Sequence, residues 1–162
     1  MVRWLAAMLP RGRAPSPRER ALRELERGDP AKAESLLDPL VASPAASAAE
    51  RAFLQNKRGV ARMRCGRVEA AAEDFRAAIA LDPACAPALV NLGNVALESD
   101  RPEEALRRYQ EAMAADVTCA RAYEGASAAY KRLGRYDDAV KSWRNARRLS
   151  ARSIFSVVLR RS

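Results

Sequence analysis

Reactive side chains are few in this chain, and those present are poorly spaced for chemistry. None of the 162 residues is a histidine. That removes the usual general base, the commonest metal ligand and the switch that titrates near neutrality. The three cysteines, Cys65, Cys85 and Cys119, are odd in number and offer no C-x-x-C spacing for zinc or thiol exchange. They read as packed or surface thiols of a reducing compartment. Glu73–Asp74 and Asp137–Asp138 are adjacent pairs, so on a helix each pair points to different sides and forms no acid/base couple. The glycines stand singly in the sequence and build no phosphate-cradling loop. The residues predict a protein that is not an enzyme and needs no metal or cofactor.

What remains is binding, and charge shows where it could act. The formal net charge is +9, from 29 Lys and Arg against 20 Asp and Glu. Residues 1–20 hold five Arg and one Glu, and residues 141–162 hold seven basic residues and no acid. The stretch between carries 17 basic and 19 acidic residues, so the body is near neutral and the excess charge is terminal. This pattern suits basic arms on a neutral scaffold, and nucleic acid or an anionic membrane is the alternative partner those arms admit. The apolar run Trp4–Leu9 is shorter than the ~7–15 residues of a secretory core. A cytoplasmic location is therefore expected, although an Arg-rich, acid-free start is also the composition of an organellar transit peptide.

The elements that must position any binding surface repeat at a fixed period. Gly59, Gly93 and Ser127 are 34 residues apart, as are Gly66, Asp100 and Gly134. Ala71, Ala105 and Ala139 keep the step, and so do Phe75, Tyr109 and Trp143. Small residues at fixed places with one large aromatic mark a unit that buries its apolar face only by stacking on a neighbour. Each unit reads as helix, tight turn, helix, with the turns at Gly66, Asp100 and Gly134, where the backbone needs positive φ. Upstream, Ser16-Pro17-Arg18-Glu19 starts a helix ending near Gly28, and Asp29-Pro30 starts a second that ends at Ser43-Pro44. The chain thus divides into a basic flexible leader (1–15) and a divergent helix pair (16–51). Three regular units follow (52–85, 86–119 and 120–153), then an apolar and basic tail (154–162) that would suit a capping helix. The aromatics Tyr109, Tyr123, Tyr130 and Trp143 have the spacing of a core face. An uncapped last unit would expose an apolar face and invite self-association.

Residues 52–153 resemble tetratricopeptide repeats. Leu89, Leu92, Gly93, Ala105, Tyr109 and Ala112 in the middle unit fall on that family's pattern, as do Tyr123, Ala126, Ser127, Tyr130, Ala139, Trp143 and Ala146 in the last. Asp82-Pro83 closes the first unit in the family's manner, but Gln55 and Arg62 stand where large apolar residues are usual, so its first helix is expected to pack loosely. The resemblance implies an all-α fold, a right-handed α-solenoid of antiparallel helix pairs whose first helices line a concave groove that grips a partner's peptide.

By the same resemblance, the groove positions are Phe53, Asn56, Lys57, Val60 and Arg64 in the first unit. The second supplies Val90, Asn91, Asn94 and Leu97, and the third Arg121, Glu124, Ala128, Lys131 and Arg132. Asparagine bonds a peptide backbone in both senses and Lys or Arg holds a carboxylate, so the expected partner is a protein offering an extended or acidic segment. The predicted groove is carried by Asn56, Lys57, Arg64, Asn91, Asn94, Arg121, Glu124 and Lys131. One subclass of the family clamps chaperone C-termini with Lys, Asn, Asn, Lys and Arg. The matching positions here are Asn56, Val60, Asn91, Arg121 and Gly125, of which Asn91 fits and Arg121 substitutes for Lys, so that role is not expected. A small bacterial secretion or assembly chaperone is a narrower alternative that rests on chain length and repeat number.

Overall fold

Local chemistry starts and stops each helix. The computed structural model describes residues 14–159, with side chains through residue 152; most of the leader (1–13) and the last three residues lie outside that range. The first helix, α1 (Pro17–Arg27), opens on a full capping box in which Ser16 and Glu19 satisfy each other's backbone N–H, and closes on Gly28 at φ 87°. Asp29 caps α2 (Pro30–Val41) by accepting from the Lys32 N–H. Ser47 caps α3 (Ala48–Arg64), which therefore begins ahead of the expected boundary at 52. Then follow α4 (Val68–Leu81), α5 (Ala86–Glu98), α6 (Pro102–Ala115), α7 (Ala120–Arg132) and α8 (Tyr136–Leu159). The three periodic turns have positive φ at Gly66 (76°), Asp100 (56°) and Gly134 (71°). α3 has 17 residues where α5 and α7 have 13, and that extra turn accounts for Gly28 standing 38 residues before Gly66 where the period is 34.

Each helix packs against the next, and α3, α5 and α7 also touch one another in sequence, which places the first helices of the pairs along one side. The core is thin and depends on close approach. Phe75 lies across Gly59, where an added Cβ would come within 2.5 Å of its ring. Tyr109 lies between Gly93 and Gly125, fully buried, with its hydroxyl donating to Asn94 Oδ1 at 2.8 Å. Burial, reinforced by the Glu98 charge and opposed by Arg121, pushes the Tyr109 hydroxyl up to about 12.

Three expectations need correction. Trp143 is 47% exposed, not core: it belongs to α8, which packs on α7, and among the described residues no further helix is laid over its aromatic as α5 and α7 are over Phe75 and Tyr109. Tyr123 and Tyr130 are only half-buried. Residues 154–159 do not form a separate capping helix but continue α8, because no turn residue interrupts its helical run. Finally, α3 is not loosely held at Arg62. That guanidinium bonds Glu34 and Asp74, both at 3.0 Å, and Arg58 forks onto Asp74 at 2.6 Å and reaches Asp38 at 3.1 Å. Arg67 also pairs with Glu34. Burial works against the Arg58 charge, but Asp74 and Asp38 outweigh it and hold the guanidinium above its ordinary value. The position filled elsewhere by an apolar residue is here the hub of an ion network joining α2, α3 and α4. Gln55 has no such rescue, and its Oε1 is buried without a partner among the described residues.

Candidate functional site

The concave side carries a hollow of about 470 Å³ between α3, α5 and α7. Its lining includes Asn56, Lys57 and Arg64 from α3, Asn91 and Asn94 from α5, and Arg121 from α7. These are six of the residues the sequence singled out, gathered in one place because the first helices α3, α5 and α7 lie side by side. Glu124 and Lys131 are exposed on α7 and take no part in the hollow. Arg132 pairs with Asp100 at 3.2 Å instead.

The polar residues of the floor form a directional relay. Arg121 Nη2 donates to Asn91 Oδ1 at 3.2 Å, and Asn91 Nδ2 donates to Asn56 Oδ1 at 2.8 Å. A guanidinium can only donate, so Arg121 fixes which way the Asn91 amide faces, and Asn91 fixes Asn56 in turn. The amide donors of Asn56 are thereby left at the end of the relay with no partner among the described residues. Asn56 and Asn91 are 4% and 7% exposed, so the relay is part of the structure and not a set of waving surface groups. Asn94 accepts the Tyr109 hydroxyl and also lines the hollow. Lys57, Arg64 and Arg121 outnumber Glu98 on the walls, so the hollow is electropositive.

A smaller hollow of about 240 Å³ adjoins it, lined by Leu22, Leu25 and Glu26 of α1 with Phe53, Lys57, Val60 and Arg64 of α3. The cations of Arg18 and Lys57 stand 4.3 and 5.2 Å from the centre of the Phe53 ring. Arg64 donates to the Leu25 carbonyl at 2.6 Å, which satisfies an open carbonyl at the end of α1 and fixes the wall between the two hollows. Sequence reasoning missed the contribution of α1, since Leu22 and Leu25 lie outside the regular period. It also missed Met63, Pro87 and Glu98 on the walls of the larger hollow. Glu98 lies one period ahead of the groove residue Arg132, and that register was the one signal available.

Among the described residues no group of acids and cysteines converges as a metal site would require. The three cysteines are unpaired, and burial pushes the Cys85 thiol up, away from nucleophilic use. No helix among the described residues is long and apolar enough to cross a membrane.

Comparisons with known proteins agree with this architecture. The tetratricopeptide repeat matches residues 18–84, 56–117 and 90–153, so the overlapping matches take in α1 and α2 as well as the regular units. Among curated proteins, no sequence matches. A crystal structure of MamA superimposes with a TM-score of 0.71 at 24% identity, covering 85% of this chain and 78% of that one. The second TPR of Spaghetti (RPAP3), bound to the HSP90 peptide SRMEEVD, superimposes with a TM-score of 0.58 at 26% identity, covering 60% of this chain and 91% of that one. The fold is an all-α solenoid of antiparallel helix pairs, and with repeat matches running from residue 18 to 153 the chain belongs to the tetratricopeptide repeat family.

Proposed function

We propose that this protein is a non-catalytic interaction scaffold that holds an extended segment of a partner protein in the hollow between α3, α5 and α7. The observation that carries the reading is the relay from Arg121 through Asn91 to Asn56, which ends in unspent amide donors at the floor of an electropositive groove. Such donors fit a peptide carbonyl or a carboxylate, and a pre-formed surface costs little ordering on binding. A structural relative was captured with an acidic peptide, SRMEEVD, which supports a peptide ligand for this fold. The five-residue chaperone-tail clamp is not reproduced, because Val60 and Gly125 bring neither an amide nor a charge to their two positions. The partner class is therefore an extended segment with an acceptor or acid over Asn56.

The test uses peptides selected from a random displayed library on the native protein. Asn56→Asp keeps the oxygen that Asn91 bonds but replaces the free donor with a repelling oxygen, and an unchanged circular dichroism spectrum and urea midpoint check that the fold tolerates the carboxylate while recognition is attacked. Selected peptides should lose about tenfold to a hundredfold in affinity, the cost of one unmade hydrogen bond to a buried group. Asn91→Ala with Arg121→Ala should lose at least as much, and Glu111→Ala on α6 should lose nothing. Equal binding by all variants would show that the hollow is not the site.

A further inference from the structure

α8 carries three separate faces. At about 100° per residue, Ala139 and Ala146 fall on the side packed against α7, while Tyr136, Val140, Trp143 and Arg147 fall together on another. Lys141, Arg144, Arg148 and Arg152 form a third row beside the second. The middle row is open: Tyr136 is 68% exposed, Val140 45% and Trp143 47%, and Arg147 lies over the Trp143 ring at 5.0 Å. Arg144, Arg147, Arg148 and Arg152 are exposed and pair with no carboxylate among the described residues. Lys141 alone meets an acid, Asp138 at 3.8 Å, which Arg135 also holds. From residue 139 onward the chain has no acid at all, and its sequence continues Ile154-Phe155-Ser156-Val157-Val158-Leu159-Arg160-Arg161. α8 has 24 residues and α7 has 13, so the second half of α8 runs on beyond its partner helix.

We infer that α8 is a second binding surface, independent of the groove, that lies along an anionic lipid bilayer. An exposed aromatic and aliphatic row beside a cationic row is the arrangement of a helix lying in the bilayer interface, with Trp and Tyr at headgroup depth. A second copy of the chain fits less well, since a two-fold pairing of α8 on α8 would set Lys141, Arg144, Arg147, Arg148 and Arg152 of each copy against two acids, Asp137 and Asp138, and Asp138 is already held by Arg135 and Lys141. Phosphate contacts alone would satisfy the cations of a nucleic-acid surface and leave the Tyr136–Val140–Trp143 row bare, so lipid accounts for both rows. The helix does not span the bilayer; it rests on it, held by the cations and by shallow insertion of Trp143.

The test uses the full-length chain with Trp4→Phe, which leaves Trp143 as the single tryptophan. Equimolar phosphatidylcholine–phosphatidylserine vesicles should shift its fluorescence to the blue and carry the protein on flotation, and pure phosphatidylcholine should do neither. Arg144→Gln with Arg148→Gln and Arg152→Gln should weaken retention about a hundredfold with an unchanged circular dichroism spectrum. Trp143→Ser should weaken it further in high salt, where the charge contribution is screened. Vesicle binding that survives both variants would place the contact in the N-terminal segment and overturn the inference. So would duplex DNA retention that depends on these arginines without any vesicle binding, or indifference to both ligands.

Discussion

Tyr109 condenses the physics of the core into one side chain. Its ring fills the space that Gly93 and Gly125 leave open, from opposite neighbours, and its hydroxyl ties α6 to Asn94. A Cβ at Gly93 would lie 2.7 Å from the ring, and the ring cannot retreat because Gly125 bounds its other side. Gly93→Ala should therefore destabilise the protein by about 1–3 kcal/mol from overpacking, partly offset by roughly 1 kcal/mol of better helix propensity. Urea denaturation measures the net change, and a stabilised variant would refute the account. The pH dependence follows from the same burial. The folded state holds the phenol proton more tightly than the unfolded chain, so this contribution is complete below pH 10 and is lost as pH rises through about 12. That loss should reach about 2–3 kcal/mol at about 1.4 kcal/mol per unit, and Tyr109→Phe should abolish it together with the tyrosinate absorbance step near pH 12.

Arg58 and Arg62 of α3 show how an irregular helix pair is tied to a regular array. Asp74 is 3% exposed and faces both guanidiniums, while Glu34 and Asp38 approach from α2. Removing one member of a buried network strands the opposite charge, so Asp74→Ala should cost about 3–5 kcal/mol. The exposed Arg108–Glu111 pair on α6 is the control, and Glu111→Ala should cost under about 0.5 kcal/mol. Chemical denaturation separates the two outcomes, and equal costs would mean that the network adds nothing beyond surface pairing. Arg62 looked like a defect in the pattern because its partners are 28 residues before it and 12 after it, on two other helices. No local window brings those together.

The whole chain behaves as a row of stacked pairs whose ends differ. α5, in the middle, buries residues on most of its circumference, from Ala86 to Ala96. α8 has a neighbour on one side and runs past it. Because such arrays open from their ends, amide exchange should be slowest in α5 and α6 and fastest in the second half of α8. Anionic vesicles should slow exchange in α8 alone, and a groove peptide should slow it in α3, α5 and α7, so a single experiment separates the two proposed surfaces.

The sequence alone determined the helix pairs, their turns and their period, because capping at Ser16, positive φ at Gly66 and Gly134, and the alternation of small and large residues are interactions within a few positions of the chain. The resemblance to the repeat family also brought Asn56, Lys57, Arg64, Asn91, Asn94 and Arg121 into view, since it implies that first helices of successive units line one groove. Only the tertiary structure decided how those residues are used: that Asn91 is spent between Arg121 and Asn56, that Arg62 is a hub, that α1 lends Leu22 and Leu25 to a hollow beside the groove, and that Trp143 is half-exposed. Each of these depends on what a distant segment places opposite the side chain, and burial and pairing are properties of that meeting, which no residue carries by itself.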